Sequence, residues 1–494
     1  MIYPPPGDSY LPAADFVLLR WIIIPEHIKI IVDHIGNNYC IPIIQGKINM
    51  NQTNSEIQNP PTGFFSSLRY LGPGLILSAA IVGSGELIAT TALGAKAGYA
   101  LLWVILLGCL AKVVVQLEYG RYCISHGLPS FQAWNKVGRF KIFKVHWSVY
   151  CGVLFMLTNF AGQGGVLGGA AQSAAFMFPS ISTQAWTIII VIAIGLLVFH
   201  GKYGPIEKIA TLLNILFASA ILYCVFAIQS TDYAFSLSDL ASGLTFHLPS
   251  DALVFALTAF GITGVASGEI TTYPYWCMEK GYAAWTGPND GSPEWAHRAR
   301  GWIRVMTLDA LISMVIYTIT TCAFYILGAA VLSTQATIAD GNGLIEQLSS
   351  LFTETLGEGT RNVFMICAFT VLFSTIFSNT AGFSRLWTDA FGLFRIIDWN
   401  NKKQRIRSIA VMAWIFPILS GTIYLLIQKP LFLVVLMGIS NTVYLLVVAY
   451  QAIVFRYRGA ISALRPSNFY DATLWISVSS IGYMAAYSAY RIFN

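Results

Sequence analysis

The chain has 494 residues, of which 56% are hydrophobic and only 11% charged, with a formal net charge of +6. Soluble domains carry about 25% charged residues, so a soluble enzyme or a nucleic-acid-binding module is excluded and a polytopic membrane protein is implied. About eleven apolar spans of roughly 20 residues each account for the length, and basic inner loops account for the positive balance.

Residues 1–61 read as an N-terminal extension, poorly ordered or interfacial. Phe16 to Ile44 is apolar in patches, but Arg20, Glu26, His27, Lys29, Asp33 and His34 interrupt it, so no uncharged window is long enough to span. The stretch lacks a signal-peptide layout, and Met50 is a plausible natural start. A transmembrane bundle occupies 62–494. Its predicted spans are 72–93, 98–120, 147–170, 184–200, 205–228, 252–277, 302–332, 362–386, 408–427, 430–454 and 472–491. The eight cysteines are scattered with no CxxC pair, so they indicate neither a thiolate metal site nor a disulfide framework.

Loop charge alternates along this series. Arg121, Lys136, Arg139, Lys141 and Lys144 follow span 2, and Lys402, Lys403, Arg405 and Arg407 follow span 8. Asp232, Asp239 and Asp251 follow span 5, and Asp340, Glu346, Glu354 and Glu358 follow span 7. The positive-inside rule then places the N-terminus in the cytoplasm of a cell-membrane protein.

Two spans carry the same short motif. Gly83-Ser84-Gly85-Glu86 lies in span 1 and Ala266-Ser267-Gly268-Glu269 in span 6. A carboxylate within a span is expensive and marks a functional site by default, and Gly83, Gly85 and Gly268 let the backbone leave helical geometry. The two motifs lie five spans apart and enter from opposite sides. That is the signature of an inverted five-helix repeat with a broken helix opening each half, 72–228 and 252–454, followed by an extra helix at 472–491.

Gly72-Pro73-Gly74-Leu75 and Gly94-Ala95-Lys96-Ala97-Gly98-Tyr99-Ala100-Leu101-Leu102-Trp103 resemble the NRAMP divalent-metal transporters. So do Arg300-Gly301-Trp302-Ile303-Arg304-Val305 and Asp309-Ala310-Leu311. The resemblance implies the all-α, LeuT-like inverted-repeat fold and metal transport. The family's Asp-Pro-Gly-Asn break is here Gly83, Ser84, Gly85 and Glu86, and its Met-Pro-His break is Val265, Ala266 and Ser267. This is a divergent branch without the usual metal-binding Asp and without a thioether at the break.

Glu86 and Glu269, with Gly83, Ser84, Ala266 and Ser267 beside them, are the candidate substrate site. As ligands the two carboxylates suit a hard divalent cation such as Mg²⁺ or Mn²⁺, which prefers oxygen. Three alternatives stay open. The glutamates could cap half-helix N-termini, one could carry a proton, or the cavity could take a small organic or amine solute. Asn159 and Gln163 in span 3 are candidate cavity lining or packing glue. Lys112 reads as a snorkelling side chain or a partner in an ion pair with Arg121 and Glu118, and Asp309 as paired with a loop arginine or part of a cytoplasmic gate. No nucleotide, triad or zinc motif appears, so the expectation is a transporter with no cofactor, whose partners are its small substrate and the lipid bilayer.

Overall fold

The computed structural model describes residues 57–199, 203–249, 252–334, 339–341 and 343–493. Of the expected interfacial or poorly ordered extension at 1–61, residues 1–56 lie outside the described residues, while in 57–61 the Gln58 amide donates to the Trp285 carbonyl and the Gln58 carbonyl accepts the Trp302 indole, each at 3.0 Å. In a bilayer, backbone amides and carbonyls have no water to bond, so apolar runs fold as helices. They do so here. The first run is α1 (Pro73–Ile81), a π-helical stretch (Val82–Thr90) and α2 (Thr91–Ala97). Then come α3 (Leu102–His126), α4 (Ser130–Val137), α5 (Trp147–Met177), α6 (Thr183–Phe199) and α7 (Tyr203–Ala227). The second half holds α8 (Leu253–Ile262), α9 (Ser267–Lys280), α10 (Pro293–Val331), α11 (Arg361–Leu393), α12 (Lys402–Ile427), α13 (Pro430–Arg458) and α14 (Asn468–Phe493). Seven helical runs among the described residues, one of them α8 and α9 taken together as Leu253–Lys280, are long and apolar enough to cross a membrane.

Helix α5 is the centre of the packing, with α13, α11 and α12 around it. Its glycines explain how they approach. A Cβ on Gly164 would sit 2.6 Å from the Ser420 carbonyl oxygen, and one on Gly165 would sit 2.6 Å from that of Pro430. Backbone meets backbone there, as small residues allow between membrane helices. Large apolar side chains such as Leu154, Leu212, Phe226, Leu426 and Ile476 point outward from the bundle, which is the surface a bilayer requires.

The two motif-bearing runs differ from the expected geometry. In the first, Gly83, Ser84, Gly85 and Glu86 do not form an unwound strand. They belong to the nine-residue π-helix, whose wider winding is itself frequent at functional sites. In the second, the chain leaves helical form at Thr263–Ala266, ending on the first residue of the motif. Ser267, Gly268 and Glu269 are the first turn of α9. The residue that makes the turn is Gly264, with φ +59. A Cβ there would also lie 3.1 Å from the Cys109 Cα, so both conformation and space demand glycine. Gly268 is therefore not a break residue.

Candidate functional site

The discontinuity between α8 and α9 opens a small cavity at the heart of the bundle. Ile81, Asn159, Gln163, Ile262, Ala266, Glu269, Phe383, Met437 and Asn441 line it. Its volume is about 10 Å³, room for about one water molecule. Glu269 stands at the third position of α9, where a carboxylate is favoured by the helix dipole. Asn441, from α13, organises the same helix start. Its Oδ1 accepts the Ser267 hydroxyl at 2.8 Å, while its Nδ2 donates to the Met437 carbonyl at 3.0 Å. Asn159 and Gln163 both reach the cavity from α5. Gln163 Nε2 lies 3.8 Å from the Met437 sulfur, and its buried Oε1 has no hydrogen-bond partner.

Glu86 is not part of this lining. It is fully buried, and its Oε1 accepts the Thr321 hydroxyl at 2.8 Å and the Gly264 amide at 3.3 Å. The Thr321 hydroxyl also lies 2.7 Å from the Tyr317 carbonyl. Glu86 Oε2 has no partner. The π-helical carboxylate of the first run thus holds the turn of the second. Ser267 is engaged with Asn441, Ala266 lines the cavity, and Gly83 and Gly85 lie on the π-helix with Ser84. Among the described residues, no group of three or more His, Cys, Asp or Glu side chains could hold a metal.

Lys112 corrects its sequence reading. It neither snorkels nor pairs with Arg121. Its ammonium is fully buried and donates to the carbonyls of Phe260, at 2.8 Å, and Thr263. These are the carbonyl end of α8, where a cation is favoured. Its charge acts on both Glu86 and Glu269. Arg121 pairs with Glu118 instead, and the Tyr470 hydroxyl from α14 completes that pair at 2.9 Å.

At the basic end of the bundle, the start of α1 is clasped by the second half. Asp309, also read differently from sequence, pairs with no arginine. It accepts the amides of Gly72 at 3.0 Å and Gly74 at 2.6 Å. Lys280 Nζ donates to the Leu71 carbonyl at 2.8 Å and the Tyr282 hydroxyl to the Tyr70 carbonyl at 2.7 Å. Close by, Asp389 of α11 accepts from the Tyr275 hydroxyl at 2.5 Å, Gln132 Nε2 at 2.8 Å and the Phe131 amide at 3.1 Å, so it fastens α4 and α9 together.

Sequence reasoning missed Asn441, Met437, Thr321 and Phe383. Asn441 carried a usable signal, because Ser440-Asn441-Thr442 is a polar triplet inside an apolar run. Met437 carried none. It brings a thioether to the cavity from α13, while the break itself carries none.

A helical membrane bundle with a discontinuous helix, an in-span carboxylate and a central cavity is a transporter of the LeuT-like class, not an enzyme. The chain belongs to the Nramp family: the model of the natural resistance-associated macrophage protein-like family matches residues 74–490. A curated relative, the divalent metal cation transporter MntH of Staphylococcus aureus, is 26% identical over 356 residues, covering 70% of this chain and 74% of that one. Among solved structures, the Eremococcus coleocola manganese transporter with a bound bis-isothiourea compound superposes with a TM-score of 0.64 at 16% identity. That match covers 89% of this chain and 90% of the other. MhsT in complex with L-phenylalanine superposes at 0.56 and 14% identity, over 87% of this chain and all of the other. The likeness to both structures is one of fold.

Proposed function

We propose that the protein is a secondary active transporter that moves a hard divalent cation, Mn²⁺ or Mg²⁺, across the cell membrane by alternating access. The observation that carries this reading is the placement of Glu269 in a cavity whose other polar side chains are the amides of Asn159, Gln163 and Asn441. One carboxylate with amide oxygens and retained waters is the ligand type that Mg²⁺ and Mn²⁺ favour. The small cavity suits an ion better than an organic solute. Met437 beside the oxygen donors argues for Mn²⁺ over Mg²⁺, because a thioether is a poor ligand for the harder ion. The names of the relatives, a divalent metal cation transporter and a manganese transporter, agree.

Glu86 takes the coupling proton in this reading. A neutral acid at its buried, unpartnered Oε2 relieves a bare charge within the bundle. The basic end of the bundle, with its clasp around Asp309, faces the cytoplasm, as the loop charges favour. The chain divides into an N-terminal extension and one bundle of two inverted repeats. Reconstitution into liposomes tests the transport reading: saturable Mn²⁺ uptake that Glu269→Gln abolishes is expected. Uptake unchanged in that variant would end it.

A further inference from the structure

Lys112 is a buried ammonium whose two acceptors are both backbone carbonyls, those of Phe260 and Thr263. It also lies 5.5 Å from the centroid of the Phe260 ring. Two buried oxygens on the neighbouring segments, Thr263 Oγ1 and Glu86 Oε2, have no hydrogen-bond partner, so neither bonds the ammonium. The Gly264 amide, next in the chain to Thr263, ties Glu86 to the same turn. Backbone carbonyls at the end of a half-helix are the groups with which discontinuous helices hold small cations. Here the cation is part of the chain.

We propose that Lys112 is a tethered monovalent cation, filling a preformed site at the α8 terminus that would otherwise take free Na⁺. Two consequences follow for the cavity. The ammonium fixes the Thr263–Ala266 turn, and with it the start of α9 that carries Glu269, so no dissolved monovalent ion is needed to order it. It also gives Glu86, Glu269 and Lys112 together a formal charge of −1 when both acids are ionised, and this holds at any external Na⁺ concentration. The inference does not depend on which metal is carried, and its readout requires no metal.

The test is thermal stability in detergent without divalent ions, comparing NaCl with N-methylglucamine chloride at equal ionic strength. The wild type is expected to melt at the same temperature in both. Lys112→Gln and Lys112→Ala are expected to melt higher in NaCl, by roughly 3 °C or more near saturation, and Lys112→Ala to be stabilised by ethylammonium as well. Variants that fold but ignore Na⁺ and ethylammonium would overturn the proposal. So would variants that fail to fold even in NaCl, because a filled site should restore what the ammonium provides. A wild type stabilised by Na⁺ as strongly as its variants would also overturn it.

Discussion

Asn441 and Ser267 meet across 174 residues of sequence, with the Ser267 hydroxyl 2.8 Å from Asn441 Oδ1. The contact fixes where α9 begins and therefore where Glu269 sits. Asn441→Leu leaves a hydroxyl and a helix start without their acceptor, which is expected to destabilise the protein by about 1–2 kcal/mol. It should also weaken the Mn²⁺-induced rise in melting temperature. Ser267→Ala removes only the hydroxyl and should cost about 1 kcal/mol. Equal metal responses in Asn441→Leu and wild type would show that the asparagine does not shape the site.

The two glutamates should separate under mutation. Glu86→Gln keeps a side-chain oxygen to accept from Thr321 and Gly264, so the fold is expected to survive. In liposomes, Mn²⁺ flux should persist in this variant while metal-driven acidification of the lumen is lost. Glu269→Gln should lose both. If Glu86→Gln still moves protons with metal, the coupling role belongs elsewhere.

Gly264→Ala tests the turn. A left-handed residue with a Cβ costs about 1–2 kcal/mol, and the contact with the Cys109 backbone adds to it. Loss of melting temperature and of Mn²⁺ uptake together is the expected result. Gly268→Ala is the comparison, since Gly268 is helical and its Cβ would meet only side chains, the Phe383 and Phe155 rings. It should be the milder of the two, and a reversed order would contradict the assignment of the break.

The Asp309 clasp predicts a conformational bias. Asp309→Ala strips the acceptor from the Gly72 and Gly74 amides. The expected effect is a loss of about 1–2 kcal/mol and faster labelling of cysteines introduced at the basic end. Asp309→Asn retains one good acceptor and should lie between. Unchanged labelling in Asp309→Ala would mean that the clasp does not hold that end closed.

His146 offers a pH prediction outside the spans. It is buried in the short hairpin after α4, 2.7 Å from the Ser148 hydroxyl, which in turn is 2.8 Å from Gln451 Nε2. Burial, then the charges of Lys141 and Arg458, hold its imidazole below the ordinary value. The folded state therefore prefers the neutral ring, while the unfolded chain takes up a proton near pH 6.5. Stability should fall as pH drops below about 6.5. His146→Gln should show a flatter profile over that window, and an identical profile would remove His146 as a contributor.

Much of the scaffold was legible because apolar runs and alternating loop charge are properties of composition. The helices from Trp147, Thr183, Tyr203 and Pro430 start within a few residues of the predicted spans. The site was legible where a polar side chain stood inside an apolar run: Glu269, Asn159 and Gln163 line the cavity, whereas Glu86 stands out equally in sequence but lies outside it. The turn was misplaced because Gly264 and Gly268 look alike in sequence, and only the backbone angle separates them. Lys112 was misread because its partners are carbonyls about 150 positions away, and carbonyls leave no trace in residue type. The arginine partner read for Asp309 was wrong for the same reason, its actual partners being amides.

The glycine face of α5 constrains how such a molecule can move. Where Gly164 and Gly165 press against the carbonyls of Ser420 and Pro430, main chain meets main chain, with Leu433 Cβ and Val434 Cγ2 close beside it. Sliding would force main-chain atoms over one another, so α5, α12 and α13 should rock as one frame. In the proposed alternating-access cycle the excursions would then fall to the π-wound first run and to the turn at Gly264, which Glu86 ties together, so that tilting one half of the molecule would pull directly on the other.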